Sequence, residues 1–216
     1  MNPGASRGGD TAGPESIARD QPRWPWSNGL PTLQGTFVDL RPLRRSDAPA
    51  LSILMADKDV TQFLAEPPAS VAAFERFIER YERDASEGAA FVMAIAPHGL
   101  EIPVGIVQVR RLDARFETAE WGFVLASAFW GTGVFSDAAR LLLRFAFEDA
   151  GIHRLEARCA LRNGRGNGAL QKLGAVKEGV LRQSCTLDGA RHDQALWALV
   201  ASDRPAPQIS ADLRVH

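Results

Sequence analysis

Cysteine is scarce in this chain of 216 residues, and the two present, Cys159 and Cys185, follow no CxxC or CxxH spacing. That excludes the usual zinc and redox motifs and a disulfide framework, and it predicts reduced, buried thiols in a cytosolic protein. An excess of charge is also lacking. The net charge is −1 and the isoelectric point about 6.4, which argues against general binding to nucleic acid or to an anionic membrane. No apolar run reaches the roughly 18 residues of a membrane span. The first residues lack the basic-then-apolar order of a secretory signal. A soluble, cytoplasmic domain is the expectation.

What is present suits a core of ordinary size: 45% of residues are apolar, as in globular domains. Residues 1–30 are rich in Gly, Pro, Ser and charge and are expected to form a disordered tail. Within it Trp24 and Trp26 either dock on the domain or belong to a sticky linker. Residues 31–201 are expected to form one domain, and 202–216 a second, shorter tail.

Between the tails the pattern alternates. Residues 36–43, "TFVDLRPL", predict a strand. "SDAPALSILMAD" predicts a helix capped by Ser46, and "SVAAFERFIERYERDASEG" a second helix capped by Ser70 and stopped near Gly88. Phe74, Phe77, Ile78 and Tyr81 fall at helical spacing and predict core packing. Three strands follow, in "AAFVMAIA", "IPVGIVQVRRL" and "TAEWGFVLA". A helix starting near Ser136 places Ala138, Leu141, Leu142 and Phe145 on its inner face. "HRLEARCAL" is a strand, "GNGALQKLG" a short helix, and two last strands meet at Asp188-Gly189, a strong hairpin signal. The order implies an α/β (α+β) fold, a mixed sheet with helices on its faces.

The most informative stretch is "FWGTGVFSDAARLLLRFAFEDAG", residues 129–151. Gly131 and Gly133 run directly into a helix. A helix mouth offers backbone N–H groups without partners and partial positive charge. Glycines before it let the backbone approach a ligand closely. Together they suit a phosphate or pyrophosphate. The loop lacks the Lys-Ser/Thr of a Walker A motif and the third glycine of a dinucleotide fingerprint. In the strand before it, Trp121, Phe123 and Leu125 face one side and Glu120, Gly122 and Val124 the other.

Here the sequence resembles the GNAT acyltransferases, specifically the RimJ/RimL-like branch. The resemblance runs from about Thr32 to Val200. It rests on "LRPLRRSDAPAL", on "AEWGFVLASAFWGTGVFSDAARLLLRFAFEDAGIHRLEARCALRN", on "NGALQKLGAVKEGVLR" and on the final hairpin. It implies a mostly antiparallel central sheet flanked by helices. It also implies an acyl-CoA-dependent N-acyltransferase with acetyl-CoA as co-substrate and no metal. The acceptor would be an amine, either a protein N-terminus or a small molecule. By resemblance, Phe123, Val124 and Leu125 take the pantetheine arm. Trp130, Gly131, Thr132, Gly133, Val134, Phe135 and Ser136 take the pyrophosphate, and Asn163 lies near the thiol end. A non-catalytic acyl-CoA-binding protein is the alternative function. Oligomeric state is left open, a homodimer included.

Three positions depart from the family pattern. Phe135 stands where Gly or Ala is usual, and Gly166 where Ser often follows the Asn. Leu170 occupies the place of a Tyr that protonates the departing thiolate; the chain's single tyrosine, Tyr81, lies on another helix. Glu120 is the candidate base that removes the amine proton. Its rival reading is a structural carboxylate paired with an arginine such as Arg158. Asp193 is expected to orient structure, and His153 and His192 fit no nucleophile–base pattern. Cys159 is expected to be a packed thiol rather than a nucleophile. Of Arg162 and Arg165, either one meets a CoA phosphate or both are solvated.

Overall fold

The computed structural model describes Trp24 and residues 28–203. Most of the two expected tails, Trp26 included, lies outside the described residues. Trp24 does dock: its ring meets Phe145 edge-on, centroids 5.1 Å apart, and its indole N–H donates to the Gly29 carbonyl.

The chain opens with β1 (Leu33–Gln34) and β2 (Val38–Pro42), followed by α1 (Ala48–Leu54), α2 (Lys58–Thr61) and α3 (Val71–Ser86). Three strands come next: β3 (Ala90–Pro97), β4 (Gly105–Arg111) and β5 (Thr118–Leu125). α4 (Val134–Arg144) crosses over to β6 (Arg154–Ala160). α5 (Gly164–Lys172) leads to the hairpin of β7 (Val176–Leu187) and β8 (Ala190–Val200). The expected order holds, with β1 and α2 as short additions that carry no long apolar period.

All eight strands form one sheet, ordered β1-β2-β3-β4-β5-β6-β8-β7. Neighbours are antiparallel except β5 and β6, which are parallel. The physical reason is the connection. Short connections reverse the chain at β1–β2, β3–β4, β4–β5 and β7–β8, whereas β5 reaches β6 through α4, and that helical crossover returns the chain in the same direction. At the β7–β8 turn Asp188 and Gly189 both have positive φ, 49° and 75°, as a primed turn requires.

Two apolar layers hold the sheet. On one face Trp121, Leu125 and Leu155 pack with Leu142, Phe145 and Leu170 of the α4–α5 side. On the other, Val92, Ala94 and Ile106 pack with Leu51 of α1 and Phe74 and Ile78 of α3. Ser70 caps α3 by accepting from the Ala73 N–H. Ser46 does not cap α1. It sits inside a 3-10 turn, Arg45–Asp47, and α1 begins afterwards with a proline in its first turn. The buried Asp47 carboxylate organises that corner instead, accepting from Arg44 N–H and gripping Arg41 through both oxygens. α4 starts at Val134 rather than near Ser136, and it continues into a π-helical turn at Phe145–Asp149. Among the described residues no helix is long and apolar enough to cross a membrane, and no group of acidic, His or Cys side chains could hold a metal ion.

Candidate active site

The site begins where the sheet divides. β5 and β6 are in register only at Thr118↔Arg154, Ala119↔Leu155 and Glu120↔Glu156. Beyond that point β6 stays with β8 as far as Ala160↔Gln194, while β5 stays with β4 as far as Leu125↔Gly105. From Trp121 to Leu125 the second edge of β5 therefore has no strand partner among the described residues. An unpaired strand edge presents N–H and C=O groups to whatever lies beside it. Phe123, Val124 and Leu125 line this edge.

The faces of β5 alternate as its sequence predicts. Ala119, Trp121 and Leu125 are buried under α4, with Phe123 partly buried beside them. Val124 packs toward the α1–α3 layer. Glu120 and Gly122 share Val124's face and are only partly buried.

The loop after β5 is braced before it reaches the helix. The Trp130 indole N–H donates to the Leu125 carbonyl at 3.0 Å, and Thr132 Oγ1 donates to the Phe129 carbonyl at 2.8 Å. Gly131 and Gly133 take φ of 78° and 92°. A Cβ at Gly131 would meet nothing within 4 Å, so conformation rather than crowding calls for glycine there. Gly133 is the N-cap residue of α4. The first N–H groups of the helix, at Val134, Phe135 and Ser136, have no acceptor within it. The Phe135 ring turns inward onto Phe123, centroids 4.3 Å apart. Its bulk therefore lies away from the N–H it contributes. The one acid of the first turn, Asp137, is buried, and its Oδ2 accepts from Phe37 and Val38 N–H. Those two donors compensate the charge that would otherwise oppose an anion at the helix mouth. A surface concavity of about 510 Å3 lies on that outer side of α4, between Gly35 and Arg144, away from the β5 edge.

Across the division stands the start of α5. The Asn163 side-chain oxygen accepts from Gly166 N–H at 2.8 Å and caps that helix. Asn167 braces the same turn. Its amide donates to the Ala160 and Asn163 carbonyls, and its oxygen accepts from the Trp197 indole. Arg165 reaches back over the Trp130 ring, 3.7 Å from its centroid. Arg162 lies over Phe63 at 5.9 Å.

Glu120 is half-buried and held from two sides. Arg110 on β4 donates to its carboxylate, and Arg158 on β6 stands 3.6 Å from the same oxygen. The arginine pairing expected as the structural alternative is thus present, with Arg110 as a nearer partner that β4–β5 register supplies. Leu170 is 2% exposed and belongs to the core. At Gly166 a Cβ would come 2.8 Å from both the Cys159 Sγ and the Asn163 amide nitrogen. The serine of the family pattern has no room there. Burial pushes the Cys159 thiol up to about 11, as expected of a packed thiol. The Asp193 carboxylate accepts from Gln183 N–H, where β7 bulges. His153 sits before β6, with its backbone N–H on the Glu117 carbonyl.

Sequence reading missed Asn167, Arg110 and the pairing of Tyr81 with Gln108. Each depends on strand register or on a partner remote in sequence.

Comparison with known proteins agrees with this geometry. The family profile described as "Acetyltransferase (GNAT) domain" matches residues 38–176. The chain is 26% identical over 172 residues to the "Uncharacterized N-acetyltransferase p20" of Bacillus licheniformis, covering 79% of this chain and 97% of that one. It is 27% identical over 97 residues to the ribosomal-protein-serine acetyltransferase of Escherichia coli (strain K12), covering 45% and 54%. Among solved structures, Mycobacterium smegmatis RimJ in complex with CoA-disulfide superposes with a TM-score of 0.75 at 24% identity, over 86% of this chain and 92% of that one.

Proposed function

The chain belongs to the GNAT acetyltransferase family, and from that premise we propose that it transfers an acetyl group from acetyl-CoA to a primary amine. The observation that carries this reading is the parting of β5 from β6 directly beside the glycine-led mouth of α4. One supplies an open strand edge for an amide-bearing arm, and the other an anion cradle for a pyrophosphate. Phe123, Val124 and Leu125 bind the pantetheine arm through their backbone. The segment from Trp130 to Ser136 binds the pyrophosphate, with Arg165 beside it. Asn163 works chiefly as the cap that sets the start of α5 next to the thiol end. The RimJ neighbour, solved with a CoA-disulfide, supports this choice of co-substrate.

In the reaction the amine nitrogen attacks the thioester carbonyl carbon. The C–N bond forms, the C–S bond breaks, and the sulfur leaves as thiolate. Alignment of the two reactants supplies the largest part of the rate, roughly 7–11 kcal/mol. Glu120 receives the amine proton through a water, because Arg110 and Arg158 occupy the flanks of its carboxylate. No tyrosine acid stands at Leu170. A thiol pKa near 8.5 makes the thiolate a tolerable leaving group without one, and a general acid adds only about 10²–10⁴-fold.

The acceptor is a protein N-terminus or a small-molecule amine. Incubation with acetyl-CoA and a panel of peptides and small amines, read by mass, tests the proposal. The expected result is a product 42 Da heavier for at least one amine, by replacement of hydrogen with acetyl. Acetyl-CoA binding without transfer to any amine would instead support the acyl-CoA-binding alternative.

A further inference from the structure

Gly122 is the first residue on its face of β5 beyond the point where β5 and β6 part. Directly opposite it in the ladder, on β4, is Gln108. The Gln108 side chain lies over the missing Cβ of Gly122: an added Cβ would stand 3.4 Å from its Nε2 and 3.7 Å from its Cγ. The same face also carries Arg110 and Glu120, and Gln108 is exposed there.

Tyr81, the chain's only tyrosine, comes down from α3 and its hydroxyl donates to Gln108 Oε1 at 3.2 Å. Its ring is fixed in turn by Phe77, centroids 4.7 Å apart, and by the Arg80 guanidinium 5.1 Å from its centroid. Burial pushes the Tyr81 hydroxyl above its ordinary value, so it stays a donor at neutral pH. One lone pair of the Gln108 amide oxygen is thereby used. The end of the amide nearest Gly122 is its NH2 group, which can only donate.

We propose that Gln108 is a specificity-determining residue, its amide held by Tyr81 at the oxygen and lying over Gly122, so that its NH2 donates a hydrogen bond to an oxygen neighbouring the acceptor's amine. Tyr81 is its positioning residue. The inference rests on the reading of the β5 edge as the acetyl-CoA track. An amine with a carbonyl on its α-carbon, as in glycinamide, fills this donor. An alkylamine of the same length offers no acceptor to this exposed NH2 group and forgoes that hydrogen bond.

The test is a competition between glycinamide and propylamine for acetyl transfer, with both products counted by mass. Acetyl-CoA affinity is measured by calorimetry on the same samples. Wild type should favour glycinamide. Gln108→Leu should lower that preference about fivefold or more, the worth of about one net hydrogen bond, with acetyl-CoA affinity unchanged. Tyr81→Phe should give an intermediate loss. In protein labelled with 13C at the tyrosine ring, the single Tyr81 signal should move when glycinamide is added to the CoA-bound form, and much less with propylamine.

An unchanged preference in both Gln108→Leu and Tyr81→Phe, with acetyl-CoA still bound, would overturn this inference alone. So would an equal fall of both rates with a lowered melting temperature, the mark of a structural role. Failure of wild type to bind acetyl-CoA would remove the inference together with the reading it rests on.

Discussion

Arg165 lies over Trp130, its guanidinium carbon 3.7 Å from the ring centroid, and so joins the two loops on either side of the parting between β5 and β6. Trp130 is itself anchored to the Leu125 carbonyl. The stack places a full positive charge beside the glycine-led helix mouth. Arg165→Ala should weaken acetyl-CoA binding by about tenfold, the order of one cation–π contact plus a screened phosphate contact. Arg165→Lys should recover part of the loss. The penalty should shrink at high salt, as calorimetry at two ionic strengths will read.

Glu120 bears on the proton. Glu120→Gln keeps the shape and leaves the β5 backbone intact, so acetyl-CoA affinity should hold. Turnover near neutral pH should fall about 10²-fold, within the range for a general base. The deficit should narrow as pH rises and the amine loses its proton unaided. If the carboxylate serves only Arg110 and Arg158, the variant should show a lower melting temperature and a pH–rate profile parallel to wild type.

The Cys159 thiol predicts an alkaline limit. Burial raises it from an ordinary value of 9.0 to about 11. A group raised on folding contributes its stability fully below the unfolded value and loses it as pH climbs through the folded one. The window is therefore about pH 9 to 11, and the term is of order 2 kcal/mol. Cys159→Ala should flatten the fall in melting temperature across that window. In the native protein at pH 8, a thiol reagent should label Cys185 well before Cys159.

Gly166 should resist substitution. A Cβ there collides with the Cys159 sulfur and the Asn163 amide at 2.8 Å each, and displacing Asn163 forfeits the cap of α5. Gly166→Ser should cost roughly 1–3 kcal/mol, as overpacking does, or about 2–4 °C of melting temperature per kcal/mol in a domain of this size. Adding Cys159→Ala should return part of it, because one of the two clashes disappears.

The local chemistry of the chain made much of this legible. Alternation in "TAEWGFVLA" predicts which side of β5 is buried, and Trp121 and Leu125 are under α4. Asp188-Gly189 predicts the β7–β8 turn. The glycine pair predicts a helix mouth, displaced by two residues because Gly133 at positive φ is itself the cap. Ser46 misled because a neighbouring acid, Asp47, competes for the same corner and wins with Arg41. Arg110 on Glu120, Gln108 over Gly122 and Trp197 on Asn167 were not legible. Those contacts follow from which strands become neighbours, and register is a property of the folded sheet. Trp24 on Phe145 is the same kind of case: its composition suits a tail, and only the surface it meets makes it part of the core's edge.

The central claim is that the β5 edge and the mouth of α4 form one acetyl-CoA site, and calorimetry of acetyl-CoA against wild type and Gly133→Val tests it most directly. Gly133 has φ of 92°, a conformation that a β-branched residue rarely adopts, so valine must rebuild the helix mouth. Wild type should bind acetyl-CoA, and Gly133→Val should bind at least about tenfold more weakly, one pyrophosphate N–H contact or more being lost. Equal affinity in both folded proteins, or no binding by wild type, would contradict the account.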